Sequence, residues 1–239
     1  MLKLIDLTGP LEEGMWSYPL PVPPVRIRRV CRIEDVGYEV HGIACASISG
    51  TYLEASAHLL PGGCTIAALT PDQLICQACI ARIPKLAGER ITREEVRAAA
   101  RERQPGDALI VATGWDRHWA RPNFVEDSPH FTPEAMAWIC EQRVPILGGD
   151  MPCFDDPRSP VGLNQMLFAS GALILAPLVN LGEVRTSRVI LFAFPLKIVG
   201  SSGSPCRAIA VEASDADGVF PPFRCRLGSR AREETGEKS

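Results

Sequence analysis

The chain has 239 residues, of which 22% are charged and 46% hydrophobic, a composition typical of an ordinary globular protein. Lys and Arg number 25 and Asp and Glu 28, so the net charge is −3 and nothing favours a nucleic-acid partner, whose binding site is usually basic. No apolar run reaches about 18 residues and no apolar leader opens the chain, so we expect neither a membrane span nor a secretion signal. The 9 cysteines then favour reduced thiols and a cytoplasmic location.

The first half of the chain contains mainly predicted strands. Residues 10–24 are predicted to form an extended arm, because they include prolines at 10, 19, 21, 23 and 24, and proline disfavours helix and strand interiors. Strands are predicted at residues 4–7, at 26–33 as a half-buried strand, at 40–48 as a buried strand, and at 79–83. The sequence Thr70-Pro71-Asp72 resembles a short helix start.

The second half alternates helices with apolar strands. Thr92 and Glu95 fit a capping box, and Thr132 before Pro133 fits a second helix start. A third helix is predicted at 164–170, with strands at 108–112, 144–147, 173–175, 189–194 and 208–211. This order predicts one α/β domain with a mixed central sheet over residues 1–225, followed by a polar, disordered tail at 226–239.

Three motifs are open to a functional or a structural interpretation. Cys76 and Cys79 form a CxxC, but no second ligand pair follows, so buried thiols are the better interpretation. Asp150 follows a predicted strand, where it could bind a ligand or accept backbone amides in a turn. Trp115 could line an aromatic-binding pocket, whereas Trp119 is assigned to packing.

The segment from Ile48 to His58, ISGTYLEASAH, carries the clearest catalytic candidates. Glu54 and His58 are four residues apart, so on a helical turn Glu54 could orient the imidazole as an acid or base. Tyr52 adds a phenol that could donate to a developing oxyanion. The alternative is an ordinary surface contact between Glu54 and His58.

The same segment resembles the signature H-x-G-T-H-x-D-A-P-x-H of the cyclase/kynurenine-formamidase superfamily. Similar stretches follow in order: IDLTGPLEEGMWSYP, TGWDRHWARPNFVEDSPHFTPEAMAWI, LGGDMPCFDD, LNQMLFASGALILAPLVNL and FPLKIVGSSGSPCRAIAVE. The resemblance runs from about residue 4 to about residue 211. It implies a single swivelling β/β/α domain, a homodimer or homotetramer, and a pair of zinc or manganese ions.

The chain departs from the family pattern at most positions that hold those ions. Ile48 and Tyr52 replace the first two histidines and Glu54 replaces the aspartate, while Ser56 stands for the proline. Gly50, Thr51, Ala55 and His58 are retained. Asn164 and Ala176 match the later histidine and glutamate. Because isoleucine and alanine offer no lone pair, no cofactor is expected beyond, at most, a single zinc or manganese ion at Glu54 and His58.

Three functions remain open. The first is a metal-independent cyclase or hydrolase for a small molecule, including an aromatic or polyketide-like one, that works by lactonisation, ring closure, dehydration or ester or amide hydrolysis. The second is a pseudoenzyme that kept the fold as a binding protein, and the third is a formamidase-like metallohydrolase in which Cys45 or Asp150 supplies a displaced ligand. The candidate catalytic residues are His58, Glu54 and Tyr52, and the candidate substrate-binding residues are Asn164, Trp115, Trp16, Asp150, Ser49 and Thr51.

Overall fold

The computed structural model describes residues 2–212, so the predicted tail at 226–239 lies outside the described residues. Within them, one large sheet is covered by short helices. The strands are β1 (Lys3–Asp6), β2 (Arg26–Cys31), β3 (Val40–Ala44), β4 (Tyr52–Glu54), β5 (Ile75–Arg82), β6 (Arg90–Ile91), β7 (Ala108–Ala112), β8 (His130–Phe131), β9 (Ile146–Gly149), β10 (Leu173–Ala176), β11 (Arg188–Pro195) and β12 (Gly203–Glu212). The α-helices are α1 (Ile33–Val36), α2 (Arg93–Ala99), α3 (Pro133–Glu141) and α4 (Leu163–Ala169).

The large sheet is mixed, as the sequence predicts. Its strand order is β1-β12-β11-β5-β7-β9-β10-β4, and a further pairing between β12 and β4 closes the sheet on itself. Strands β5, β7, β9 and β10 are parallel, whereas β1, β4, β11 and β12 pair antiparallel with their neighbours. The carboxyl ends of the four parallel strands therefore meet at one edge, next to the start of β4.

Alternating side chains of the central strands enter two separate cores. Leu109 and Val111 of β7 pack with helices α2, α3 and α4, whereas Ala108 and Ile110 face a second core on the other side of the sheet. Because both faces are covered, β7 is apolar at every position, and its predicted limits are confirmed.

The predicted helix caps are also confirmed. The Thr92 hydroxyl accepts from the Glu95 amide and the Glu95 carboxylate accepts from the Thr92 amide, which starts α2. The Thr132 hydroxyl accepts from the Ala135 amide at the start of α3. None of the helices in residues 2–212 is long and apolar enough to cross a membrane.

Two predictions of burial are wrong. Strands β2 and β3 form a separate hairpin, and neither strand nor the intervening α1 contains a buried residue. Glu54, considered together with His58 on a helical turn, instead ends the short strand β4. The apolar residues of β3 are thus not explained by the cores of the single chain, whereas Ile48, beyond the strand, packs against the first core.

The CxxC motif has a structural explanation. Cys76 and Cys79 both lie on β5, where residues three apart project to opposite faces. Both are buried, and burial raises the pKa of Cys79 to about 11. No disulfide joins the cysteines of residues 2–212, and the interpretation as buried side chains is the one that fits.

Candidate active site

A tight turn places the catalytic candidates at the edge of the sheet. Gly50 has φ +65°, a left-handed conformation that favours glycine, and it directs the chain into β4. The Thr51 hydroxyl donates to the Pro177 carbonyl at 2.6 Å and accepts from the Gly9 amide at 2.9 Å. Thr51 thereby joins the amino-terminal arm, the turn and the end of β10, and both hydrogen-bonding functions of its hydroxyl are used within the chain.

Glu54 and His58 meet as the sequence suggests, although Glu54 ends a strand and His58 ends a single 3-10 turn (Ser56–His58). Nδ1 of His58 lies 3.0 Å from Oε1 of Glu54. Oε1 is nevertheless buried without an aligned hydrogen bond to any described residue. The Glu54 side chain is 4% exposed and that of His58 35%, so His58 faces the exterior and Glu54 lies behind it.

Burial controls the protonation of this pair. It raises the pKa of Glu54 to about 8 and lowers the pKa of His58, because the charged form of each group is poorly solvated. At neutral pH the pair therefore consists of a carboxylic acid beside a neutral imidazole. Such a pair contains one proton donor and one proton acceptor within transfer distance of each other.

The phenol of Tyr52 forms a hydrogen bond with a second phenol. Its hydroxyl lies 2.8 Å from the hydroxyl of Tyr18, which donates to the Pro152 carbonyl at 2.7 Å. Burial raises the pKa of both phenols well above the usual value of tyrosine, so both keep their protons. Tyr18 comes from the proline-rich arm and was not among the residues that the sequence identified.

Cys153 and Trp16 complete the surroundings of this pair. Burial raises the pKa of the Cys153 thiol to about 12, with Glu54 among the nearby acidic groups that add to the effect. The Trp16 ring packs edge-to-face against Tyr18, with 5.7 Å between ring centroids, and its Nε1 is buried without a partner among the described residues. One wall of the site is therefore aromatic.

Asn164 reaches this region from another element. It lies in the first turn of α4, a helix that packs against the 3-10 turn carrying His58. Its Oδ1 is buried and accepts no hydrogen bond within residues 2–212. Oε1 of Glu54 and Oδ1 of Asn164 are thus two buried acceptor oxygens without donors among residues 2–212.

The remaining predicted residues are occupied elsewhere. Both carboxylate oxygens of the fully buried Asp150 accept backbone amides, from Thr113, Gly114 and Trp115, and Oδ1 also accepts the Thr113 hydroxyl. Trp115 is 3% exposed and donates Nε1 to the Phe124 carbonyl at 2.9 Å. Ser49 lies with Thr51 along a separate surface groove. The geometry gathers Tyr52, Glu54 and His58, and it gives Asp150 and Trp115 structural contacts.

The residues at the family's ligand positions do not fit a two-metal centre. Ala176 pairs with Tyr52 across β10 and β4, so a methyl group and a protonated, hydrogen-bonded phenol stand side by side where a ligand set requires lone pairs. Ile48, at another of the ligand positions, is apolar and packs against the core that contains Tyr52 and Ala176. Asp150, offered as a displaced ligand, already accepts backbone amides on both oxygens.

Comparisons with known proteins agree with the resemblance. The chain's residues 5–156 match the family model described as "Putative cyclase". The match covers more than half of the chain, so the chain belongs to this cyclase family, and its fold is a mixed α/β fold with a closed sheet.

The chain is similar to hydrolases along most of its length. It is 24% identical to an isatin hydrolase from Roseibium aggregatum, over 88% of this chain and 92% of that one. It is 27% identical to a kynurenine formamidase from Erythrobacter litoralis, over 90% and 96%. A crystal structure of an isatin hydrolase bound to the product analogue thioisatinate superposes with a TM-score of 0.81 at 22% identity, covering 89% of this chain and 93% of that one, which shows a shared fold.

Proposed function

We propose that this protein is a small-molecule hydrolase or cyclase that works without a metal ion. The observation that carries the proposal is the contact between a buried carboxylic acid, Glu54, and a partly exposed neutral imidazole, His58, at 3.0 Å. Membership in a family whose relatives include hydrolases supports the reaction class. The aromatic wall of Trp16 and Tyr18 supports an aromatic or polyketide-like substrate.

In the hydrolytic direction, His58 takes a proton from a water molecule as the water oxygen bonds to the carbonyl carbon. The bond from that carbon to the leaving nitrogen or oxygen then breaks, and Glu54 supplies its proton to the leaving atom. His58 then gives its Nδ1 proton to Glu54 across the 3.0 Å contact, and exchange of protons between the partly exposed imidazole and solvent restores the starting tautomer. For lactonisation or ring closure, a hydroxyl of the substrate takes the place of water.

A donor for the developing oxyanion is also required. Asn164 carries amide N–H groups that suit this role, and its Oδ1 accepts no hydrogen bond from the described residues. Tyr52, predicted for that role, already shares a hydrogen bond with Tyr18. The proposal therefore assigns carbonyl polarisation to Asn164 and keeps Tyr52 as a wall of the site.

The proposal is tested by turnover of isatin, formanilide and an aryl ester by chelator-treated protein. We expect His58→Ala to lower kcat at least 100-fold, the usual contribution of a general base. Unchanged turnover in His58→Ala would refute the assignment. Binding of these probes without turnover by the wild type would instead favour the pseudoenzyme, and stoichiometric zinc or manganese in protein purified without chelator would favour the displaced metal site.

A homodimer or homotetramer in the cytoplasm is part of the proposal. The hairpin of β2 and β3 supports the oligomer, because its apolar side chains lack cover within residues 2–212 and exposed apolar patches are typical of interfaces. These exposed residues are Val30, Ile33, Val36, Tyr38, Val40 and Ile43. Light scattering of the purified protein measures its mass, and a monomer would reject this part.

A further inference from the structure

The pair of phenols at the site has a fixed order of donors and acceptors. The Tyr18 and Tyr52 hydroxyls lie 2.8 Å apart, and the Tyr18 hydroxyl lies 2.7 Å from the Pro152 carbonyl. The Tyr52 hydroxyl is 3.5 Å from the same carbonyl, too far for a strong hydrogen bond. Tyr18 is therefore the phenol that donates a hydrogen bond to the Pro152 carbonyl.

Counting protons then fixes the direction of the bond between the two phenols. A carbonyl oxygen cannot donate, so the proton between Tyr18 and Pro152 comes from Tyr18. Each phenol has one proton, so the proton between the two hydroxyls comes from Tyr52. The chain runs from Tyr52 to Tyr18 to the carbonyl, and Tyr52 has only lone pairs left for a ligand.

Two other acceptors, one on the strand of Tyr52 and one on α4, lack donors among the described residues. Oε1 of Glu54 and Oδ1 of Asn164 are buried and receive no aligned hydrogen bond from the described residues. A buried acceptor without a donor costs about 1–3 kcal/mol, so a ligand that supplies a donor gains affinity. Tyr52 and Glu54 lie on the same short strand, two residues apart, and therefore point to the same side of the sheet.

We infer that Tyr18 is a positioning residue that holds the Tyr52 phenol as a hydrogen-bond acceptor, so that the site selects ligands with an O–H or unsubstituted N–H group at this point. The inference rests on the proposed function for the location of the site, but it concerns recognition and not the chemical step. It also explains why a residue of the proline-rich arm reaches the signature segment.

The first experiment needs no ligand. The C–O stretching band of tyrosine moves in opposite directions when the phenol donates and when it accepts a hydrogen bond, and the chain has only 3 tyrosines. We expect the infrared difference between wild type and Tyr18→Phe to show one band lost and the Tyr52 band shifted away from the donor position. An unshifted Tyr52 band would overturn the inferred direction. Tyr38→Phe, in the exposed hairpin, is the matched control.

The second experiment compares isatin, a cyclic amide with an N–H group, with N-methylisatin. We expect the wild type to bind isatin roughly three- to tenfold more tightly, the effect of one hydrogen bond. Tyr52→Phe should abolish the preference, and Tyr18→Phe should reduce it because the Tyr52 proton becomes available. Equal binding of the two probes by the wild type, absence of binding of both at millimolar concentration, or an intact preference in Tyr18→Phe would reject the inference.

Failure of the proposed function gives a different result. A retained preference for isatin without turnover would reject the catalytic assignment of His58 and Glu54 while supporting Tyr18. Turnover that is unaffected by N-methylation of the probe would reject the role of Tyr18 and leave the catalytic pair in place. Isothermal calorimetry for binding and absorbance for turnover separate these outcomes.

Discussion

Replacing Glu54 with glutamine removes an acid whose pKa is about 8 in the folded chain and 4.5 in the unfolded chain. Between these values the unfolded chain loses a proton that the folded chain keeps. The stability linked to Glu54 is therefore fully present below pH 4.5 and is lost as the pH rises through 8. A glutamine has no such dependence, because its amide is neutral in both states.

The size of the effect follows from the two pKa values. From pH 5 to pH 8 the wild type loses roughly 3–4 kcal/mol of stability through Glu54, since each pH unit well inside this interval corresponds to about 1.4 kcal/mol. The free energy of unfolding of Glu54→Gln relative to wild type should rise by that amount over the same interval. Burial is the cause of the lowered pKa of His58, and Glu54→Gln leaves that burial in place.

Urea denaturation at several pH values between 5 and 8 measures this difference. Glu94→Gln, at an exposed position of α2, is the matched control and should leave the difference between variant and wild type constant. If wild type and Glu54→Gln show parallel dependence on pH, Glu54 is ionised in the folded protein. The assignment of Glu54 as proton donor to the leaving group would then be wrong.

Two further predictions concern residues that support the site. Asp150→Asn should lower the free energy of unfolding by about 2–3 kcal/mol, because a carboxylate oxygen that accepts backbone amides becomes an amide N–H group facing them; denaturant unfolding checks this, and an effect below about 0.5 kcal/mol would contradict the structural role. Thr92→Ala should cost about 1 kcal/mol through loss of the cap of α2, with Thr70→Ala at the capped 3-10 turn as a comparison, and unchanged stability would show that the cap is not needed.

The site differs from the metal site that the family resemblance implies. The family's ligand positions now hold a phenol, a carboxylic acid, an amide and two apolar side chains. Burial keeps the acid protonated and the imidazole neutral, so the same segment contains a donor and an acceptor of protons. In the proposed reaction this pair supplies proton transfer at neutral pH, a task that a metal-bound water performs in many metalloenzymes.

Several features of the fold followed from local sequence. The capping residues Thr92 and Thr132 mark the starts of their helices because a hydroxyl at that position accepts a hydrogen bond from a free backbone amide of the first turn. The run at 108–112 is a central strand because all of its residues are apolar, as expected for a strand that is covered on both faces of the sheet. Burial of the hairpin could not be predicted, since an apolar pattern is the same whether the cover is the chain's own core or another molecule.

The sequence also identified part of the site. Glu54 and His58 are close because only three residues lie between them, and a compact turn brings such neighbours together. Tyr18 was missed because it is 34 residues from Tyr52 and lies in an arm without regular structure. Its only signal was its place in a stretch that resembles the start of the family.

What the sequence determined by itself was the family, the mixed sheet and the pairing of a carboxyl with an imidazole, because these depend on local patterns and neighbouring residues. The tertiary structure decided the protonation of that pair, since burial depends on which elements cover β4. It also decided that the hydroxyls of Tyr18 and Tyr52 form a hydrogen bond, that Asp150 accepts hydrogen bonds from backbone amides, and that the β2–β3 hairpin lies outside both cores. Each of these depends on contacts between residues far apart in the chain, and no local pattern encodes them.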